Sequence, residues 1–383
     1  MKMVFASDSF KGSLSSKRIS EILTKATGEV FDGCECIPVI LADGGEGTLD
    51  ALLAVREGRK VPVTVEGPLC EKLEACYGVF EDGTAIIEMA QASGLTLVPA
   101  EKRNPLQSSS IGTGELIRAA LQAGYKKLTV AIGGSATNDG GMGMAQALGI
   151  RFLDRNGDEL KGCGANLAKV AKIDTSGLIP EARSAQITVM CDVKNPLCGE
   201  NGATYTYGPQ KGATPEMLKE LEAGMQNYRD VIIRKFGTDP DAIPGAGAAG
   251  GIGAALKIFL NAELRSGIEA ILDLADFDRL IRDADCVITG EGRIDGQSCE
   301  GKAVQGVGLR AKKAGIPSIA LCGCTGDGYE RIRDYGICGI ETLTDDVITP
   351  EYAMEHAEAV YYRKAMKIFE QIRKGENKWI LRH

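Results

Sequence analysis

Five short stretches of the sequence combine acidic or hydroxyl side chains with glycine, and each follows a run of apolar residues. Glycine has no Cβ, so such turns let backbone N–H groups approach an anion closely. Carboxylates in the same place repel phosphate unless a hard cation such as Mg²⁺ lies between them. The pattern therefore predicts a site for Mg²⁺ and phosphate. The stretches are Ser7–Gly12, Asp43–Thr48, Gly133–Asp139, Gly290–Gly296 and Gly323–Gly328.

The apolar runs before these turns predict the elements that position them. The runs cover 3–6, 37–42, 128–132, 286–289 and 318–321, with 339–343 as a sixth candidate. Most lead through a glycine-rich turn into a segment of helical periodicity, which is typical of a parallel sheet covered by helices on both faces. Ligands bind beyond the carboxyl ends of such strands, so we expect the five turns to meet at one rim.

Two regions have a different pattern and predict a second, smaller α+β domain. Residues 60–98 are typical of short strands joined by tight turns, with "EDGT" as a hairpin signal. The second region is 150–212, which includes "ITVMCDV" and "GATYTYGPQKG". We predict an α/β domain formed by 1–60, 104–150 and 255–383, and a smaller α+β domain formed by 61–103 and 151–254. A final helix is predicted from Thr349 as N-cap to Gly375 beyond its end. Its predicted apolar face comprises Met354, Ala357, Tyr361, Ala365, Ile368 and Ile372.

The composition limits the class of protein. The chain has 383 residues, a net charge of −8 and a pI of about 5.2, which argues against a nucleic-acid partner. The N-terminus does not resemble a signal peptide and no apolar run reaches membrane-spanning length, so we expect a cytoplasmic protein with reduced thiols and no membrane partner. Only two histidines are present, so acid–base chemistry is expected from Asp, Glu or Lys.

Several motifs allow more than one interpretation. Residues 296–302 fit GxxxxGK, but Ala303 follows where a P-loop has Ser or Thr. Gly245-x-Gly247-x-x-Gly250 fits the dinucleotide fingerprint, but no strand is predicted before it. The stretch 133–143 is also compatible with a plain strand-to-helix turn capped by Asn138 or Asp139. Residues 191–214 are typical of a ligand lid or of an ordinary turn-rich connection.

Together the motifs resemble bacterial glycerate kinases of the type-1 family, over the whole chain. The matching segments are "SDSFKGSLSS" (7–16), "ADGGEGT" (42–48), "GGSATNDGGMG" (133–143), "CDVKNPLCGENGA" (191–203), "GPQKGAT" (208–214), "PGAGAAGGIG" (244–253) and "TGEGRIDGQSCEGK" (289–302). The resemblance implies transfer of the ATP γ-phosphate to D-glycerate with Mg²⁺, giving 2-phosphoglycerate rather than 3-phosphoglycerate. It also implies a flavodoxin-like parallel sheet domain and a smaller RRM-like domain, with the active-site cleft between them.

On this basis the sequence predicts a role for each candidate residue. The proton of the substrate hydroxyl is expected to pass to Asp8 or Asp192, with Lys11 beside the glycerate carboxylate or the transferring phosphoryl group. The predicted Mg²⁺ ligands are Asp43, Glu46, Asp139 and Glu291. The predicted nucleotide-phosphate ligands are Ser135, Asn138, Gly290, Gly292 and Lys302. The predicted substrate ligands are Ser9, Lys11, Asn195 and Lys211. A homodimer is left open.

Three other classes share some of these features. An NAD-dependent oxidoreductase would use the glycines at 245–250, and a metal-dependent phosphohydrolase would use the same acids and glycines with water as acceptor. A non-catalytic ligand-binding protein would share a two-domain cleft. Ligand screening and phosphate release without glycerate separate these classes from the kinase.

Overall fold

The computed structural model describes residues 1–10, 12–41 and 44–376. Fifteen strands lie in these ranges: β1 (Lys2–Ser7), β2 (Glu35–Pro38), β3 (Gly58–Glu66), β4 (Lys72–Phe80), β5 (Thr84–Glu88), β6 (Lys127–Ala131), β7 (Arg151–Leu153), β8 (Lys172–Asp174), β9 (Gln186–Met190), β10 (Glu263–Arg265), β11 (Cys286–Gly290), β12 (Arg293–Ile294), β13 (Ser318–Cys322), β14 (Cys324–Thr325) and β15 (Ile337–Thr342).

Fourteen α-helices lie in the same ranges: α1 (Ser16–Val30), α2 (Thr48–Leu53), α3 (Ala90–Ser93), α4 (Ile111–Gln122), α5 (Met142–Ala147), α6 (Pro180–Ser184), α7 (Ala203–Tyr207), α8 (Pro215–Phe236), α9 (Ile252–Leu260), α10 (Gly267–Leu274), α11 (Phe277–Ile281), α12 (Ala303–Ala314), α13 (Pro350–Glu355) and α14 (Ala357–Arg373). None of these helices combines the length and the apolarity needed to cross a bilayer.

The first of two compact units consists of the described parts of Met1–Ala42, Asp50–Arg56 and Ile268–His383. Its sheet has five strands, all parallel, in the order β15-β13-β11-β1-β2. Numbered within the unit, this is the order 2-1-3-4-5, which is the order of flavodoxin-like doubly wound sheets. In such a sheet the chain reverses its direction of winding between the first and third strands, here β1 and β11.

Helices cover both faces of this sheet, as the apolar strand sequences predict. Successive residues of β13 point to opposite faces, so Ile319 and Leu321 pack into a core with α1 and α14. Ala320 and Cys322 pack on the other face with Val304 of α12. α1 forms because Ile19, Ile22, Leu23 and Ala26 recur on one buried side and Ser15 caps its N-terminus.

The end of the chain agrees with the predicted final helix in part. Thr349 accepts a hydrogen bond from the Tyr352 N–H, and Pro350 occupies the first turn, as expected. The helix is interrupted at His356, so α13 and α14 are separate. Tyr361 and Ala365 are buried, but Met354 is 58% exposed, and its placement on the buried face was wrong. On the two sides of this break the buried side chains nearest to it are Ala353 and Ala357.

The second unit consists of the described parts of Asp43–Leu49 and Glu57–Gly267. Its main sheet has six strands in the order β10-β9-β6-β5-β4-β3. β3, β4 and β5 are joined antiparallel, with the predicted turn at "EDGT" between β4 and β5, whereas β5, β6, β9 and β10 are parallel. A separate pair is formed by β7 and β8.

One strand lies in a different sheet from the one that the sequence predicts. β6 was expected in the same parallel sheet as the strands at 3–6 and 286–289, but it pairs with β5 and β9 in the second unit. The segment 104–150 therefore belongs to the second unit, which differs from the predicted boundaries. The physical reason is that a buried apolar strand can pair in any parallel sheet, so its own sequence does not determine which strands lie beside it.

Candidate active site

A cavity of about 410 Å³ lies in the first unit, beyond the carboxyl ends of its strands. Its volume is in the range of small-ligand sites, and its position is where open α/β sheets bind ligands. Three of the five predicted turns contribute to it, those after β1, β11 and β13. The lining residues are Asp8, Ser9, Phe10, Ser13, Glu291, Gly292, Arg293, Lys302, Gly323, Cys324, Leu343, Thr344, Pro350, Ala353 and Met354.

Asp8 and Ser9 enter the cavity directly after β1. The Asp8 N–H donates to the Gly290 carbonyl at the end of β11, 2.9 Å away, which ties the two strand ends together. The Ser9 N–H donates to Oδ1 of Asp8 at 2.6 Å. These bonds fix the Asp8 carboxylate at the point where the direction of winding changes.

Glu291 follows β11 and is only 7% exposed. Among the described residues, its Oε1 atom has no hydrogen-bond partner. Burial raises the pKa of the Glu291 carboxyl, and the negative charges of Asp8 and Asp295 act in the same direction, whereas Ser298 and Lys302 lower it. A buried carboxylate oxygen without a donor, beside a second carboxylate, is suited to a hard cation.

Positive charge reaches the cavity from Lys302 and Arg293. Lys302 is exposed and stands immediately before α12, whose N-terminal N–H groups favour an anion. Arg293 forms an exposed ion pair with Asp295, 3.4 Å from Nε to Oδ2. The GxxxxGK match at 296–302 thus ends at a lysine that does line a cavity. The segment begins after the two-residue strand β12 and contains a 3₁₀ turn at Gly296–Cys299, which is not the strand–loop–helix order of a P-loop.

An apolar wall of the cavity was not predicted from the sequence. It is formed by Phe10, Leu343, Pro350, Ala353 and Met354. Met354 was interpreted as a core residue because it is apolar and lies at helical spacing. In the structure it is exposed and lines the cavity from α13, two residues before the break at His356.

In the second unit, Asp139 is completely buried and its carboxylate accepts four hydrogen bonds. Oδ2 accepts from the N–H of Ser110 at 2.9 Å, from its Oγ at 2.8 Å and from the Gly143 N–H at 3.2 Å, and Oδ1 accepts from the Gly141 N–H at 3.0 Å. Burial raises the pKa of this carboxyl, although the hydrogen bonds lower it. Asp139 therefore holds the start of α5, and a metal-binding role stays a prediction.

Lys211 is buried in the same unit, with 1% of its surface exposed. Its Nζ donates to Ser135 Oγ at 2.8 Å and to the Thr137 carbonyl at 2.6 Å. Burial lowers the pKa of Lys211 to about 7, although Asp139 raises it. Asn138 donates to Thr204 Oγ1 at 3.1 Å, and its Oδ1 has no partner among the described residues. The two hydrogen bonds of the buried Lys211 thus hold the glycine-rich stretch 133–139 in place.

The remaining predicted residues of the second unit lie nearer the surface. The exposed Asp192 accepts a hydrogen bond from the Gly267 N–H at 2.7 Å. Asn195 is bound within its own loop, since it donates to the Asn201 carbonyl at 2.7 Å and accepts from Tyr207 Oη at 2.8 Å. Glu46 is exposed and accepts a hydrogen bond from Thr96. Lys11 and Asp43 lie outside the described residues.

Comparison with known proteins identifies the family of this chain. The model of the glycerate kinase family matches residues 3–373. The chain belongs to the glycerate kinase family. It is 44% identical to the glycerate kinase of Bacillus subtilis over 100% of both chains, and 46% identical to the glycerate 2-kinase of Escherichia coli over 93% of this chain and 94% of that one. A crystal structure of a candidate glycerate kinase 2 from Salmonella typhimurium LT2 superposes with a TM-score of 0.83 and 42% identity, covering 98% and 99% of the two chains.

Membership of the glycerate kinase family makes the chain an enzyme, a phosphotransferase.

The glycines that fit the dinucleotide fingerprint are explained by packing instead of by a bound dinucleotide. Gly245-x-Gly247-x-x-Gly250 follows a 3₁₀ turn at Pro240–Ala242 instead of a strand. A Cβ at Gly247 would lie 2.1 Å from the Pro196 carbonyl oxygen, and one at Gly250 would lie 2.0 Å from that of Thr137. These glycines are required by close backbone packing. Among the described residues, no group of three or more His, Cys, Asp or Glu side chains is arranged to hold a metal ion.

Proposed function

We propose that this member of the family transfers the γ-phosphate of ATP to D-glycerate and forms 2-phosphoglycerate and ADP. The observation that carries this proposal is the cavity at the ends of β1 and β11, where Asp8, Glu291 and Lys302 meet. Phosphoryl transfer depends on positioning and on compensating charge, and this cavity supplies both signs of charge. The name of the Escherichia coli relative, glycerate 2-kinase, supports the 2-position.

The residues of the cavity fit a bound Mg²⁺–ATP. Burial raises the pKa of Glu291, and two neighbouring carboxylates add to this effect. A divalent cation would relieve their repulsion and would pair with Oε1, which has no donor among the described residues. Glu291 is therefore the proposed first ligand, and Asp43, Glu46 and Asp139 stay predicted ligands. When bound, the ion neutralises phosphate oxygens as negative charge shifts during transfer.

The protein side chains have separate proposed roles. Asp8 accepts the proton of the substrate hydroxyl, because it lines the cavity, whereas Asp192 belongs to the second unit and does not line it. Lys302 and the N-terminus of α12 hold nucleotide phosphates, with the backbone of Gly290 and Gly292 beside them. Ser9 contacts glycerate, and Lys11 and Asn195 are the other proposed ligands.

In this proposal the second unit contributes the glycine-rich stretch 133–139 to nucleotide binding. Ser135 and Asn138 hold nucleotide phosphates, and Lys211 acts on them by fixing the stretch in which they lie. Lys211 was predicted as a direct ligand of the substrate. Its burial favours a positioning role instead. The type-1 assignment, the RRM-like domain, the cleft between the domains and the cytoplasmic location stay predictions from sequence.

Phosphorus NMR of the reaction products tests the proposal. The enzyme is incubated with Mg²⁺, ATP and D-glycerate, and the expected product is 2-phosphoglycerate, whose phosphorus resonance is resolved from that of 3-phosphoglycerate. Incubation without glycerate is the control, and phosphate release there at the same rate would instead identify a phosphohydrolase. The 3-phosphate as main product would reject the proposed position, and no phosphorylated glycerate would reject the proposed reaction.

A further inference from the structure

The cavity has two chemically different sides. Asp8, Glu291 and Lys302 form a charged side, whereas Phe10, Leu343, Pro350, Ala353 and Met354 form the apolar wall. A triphosphate and a small hydroxy acid are both strongly polar, so neither accounts for this wall.

The apolar wall is preformed by the core beneath it. The Phe10 ring meets Tyr361 edge to face, with centroids 5.6 Å apart. The Leu343 N–H donates to the Cys322 carbonyl at 2.8 Å, and the Thr344 N–H donates to the Gly323 carbonyl at 3.2 Å. These contacts fix the wall to the ends of β1 and β13, so a ligand would bind it without first ordering it.

Met354 is the exposed part of the wall. It is among the most exposed large apolar side chains of the described residues, at 58%, and it faces the cavity from α13. Its methyl end lies beside Gly12, since a Cβ at Gly12 would be 3.7 Å from Met354 Cε. A flat apolar ligand seated here would cover Met354 and gain the free energy of removing it from water.

We infer that the apolar wall is the binding site for the purine base of the nucleotide. A purine has two apolar faces and is flat, and in ATP it is joined through ribose to a triphosphate, so one ligand matches both sides of the cavity. The base lies against Leu343 and Met354 while the phosphates lie toward Lys302 and Glu291. This assignment rests on the proposed use of ATP and adds the location of the base to it.

The test compares two ligands that share the triphosphate, of which only ATP carries the ribose and the base. Binding of Mg²⁺–ATP and of Mg²⁺–tripolyphosphate is measured by titration calorimetry for the wild type and for Met354→Gln. We expect the Kd for ATP to rise roughly fivefold in Met354→Gln, since a polar amide replaces an apolar contact. The Kd for tripolyphosphate should change by less than about twofold, and the steady-state KM should rise for ATP and not for glycerate.

Val347→Gln is the matched control, because Val347 is 87% exposed and does not line the cavity. It should leave all of these constants unchanged. An unchanged Kd for ATP in Met354→Gln, an equal loss for both ligands, or a rise in the KM for glycerate alone would each overturn the assignment of the wall. Failure of the wild type to phosphorylate glycerate from ATP would instead reject the proposed function, so the two failures are distinguishable.

Discussion

The Nζ atom of Lys211 lies 2.8 Å from Oγ of Ser135, inside the second unit and out of contact with solvent. An amine in this position is costly to protonate, and burial lowers its pKa from the ordinary value of 10.5 to about 7. Between these two values the unfolded chain binds the proton and the folded protein does not. Stability contributed by this group therefore rises with pH across this window.

Lys211→Met should reveal this contribution. The free energy of unfolding of the wild type, relative to Lys211→Met, should increase from pH 7 to pH 10, because only the wild type carries the shifted amine. Urea unfolding at several pH values measures it. Lys219→Met, at an exposed position of α8, should show no such trend. A difference between wild type and Lys211→Met that is flat over this range would contradict the lowered pKa.

Asp139→Asn should destabilise the protein in buffer without metal ions. The asparagine amide would face N–H donors that now reach carboxylate oxygens, leaving buried donors unpaired at a cost of about 2–4 kcal/mol. Denaturant unfolding in the presence of a chelator measures the change. Asp158→Asn, at an exposed position of the same unit, is the control. If Asp139→Asn kept full metal-free stability, Asp139 would serve as a ligand rather than as a structural acceptor.

Glu291→Gln should make the enzyme more stable and less active. The pKa of Glu291 is raised, so the wild type loses stability as the pH rises above the ordinary value of 4.5, and the amide removes that penalty. We expect a gain of about 0.5–2 kcal/mol at neutral pH without Mg²⁺. The same change should lower kcat by roughly 10²-fold or more and raise the Mg²⁺ concentration needed for half-maximal rate.

Denaturant unfolding and the Mg²⁺ dependence of the rate measure these two effects of Glu291→Gln. A loss of activity with an unaltered Mg²⁺ requirement would show that the glutamate does not serve the cation. A loss of stability at neutral pH would show that its carboxylate has a partner that compensates for burial.

Gly290→Ala should disrupt the first unit for a packing reason. A Cβ at this position would lie 2.0 Å from the Leu321 carbonyl oxygen, so β11 and β13 would have to separate. We expect a loss of more than about 3 kcal/mol, measured by urea unfolding. Gly28→Ala is the contrasting control, since nothing lies within 4 Å of that position in α1, and it should stabilise the protein by about 0.4–1 kcal/mol. A Gly290→Ala protein of normal stability and reduced nucleotide affinity would favour the phosphate role alone.

The sequence predicts the first unit well because its signals are local. Apolar runs mark β1, β11, β13 and β15, and the turns after three of these strands contribute to the cavity. The neighbours of β6 could not be predicted, since pairing is decided by residues far along the chain. The capping role of Asp139 was among the interpretations considered, because acids before a helix commonly accept its first N–H groups.

Two features of the candidate site carry no local signal. A lysine after Gly-Pro-Gln is normally exposed, and only the packing of the second unit shows that Lys211 is buried. Met354 fits the helical periodicity of the last segment, and only the break at His356 shows that it faces a cavity. In both cases the deciding information is tertiary.

Asp8 and Glu291 directly follow two neighbouring strands, although 282 positions of the chain lie between them, most of them forming the second unit. During synthesis, the ribosome releases the whole of that inserted segment before β11 emerges to join β1. The inserted unit can therefore fold first, while β1 is not yet paired with β11. The carboxylate pair is completed late, because Glu291 lies in the last quarter of the 383-residue chain, and a nascent chain gains the chemistry of this cavity only then.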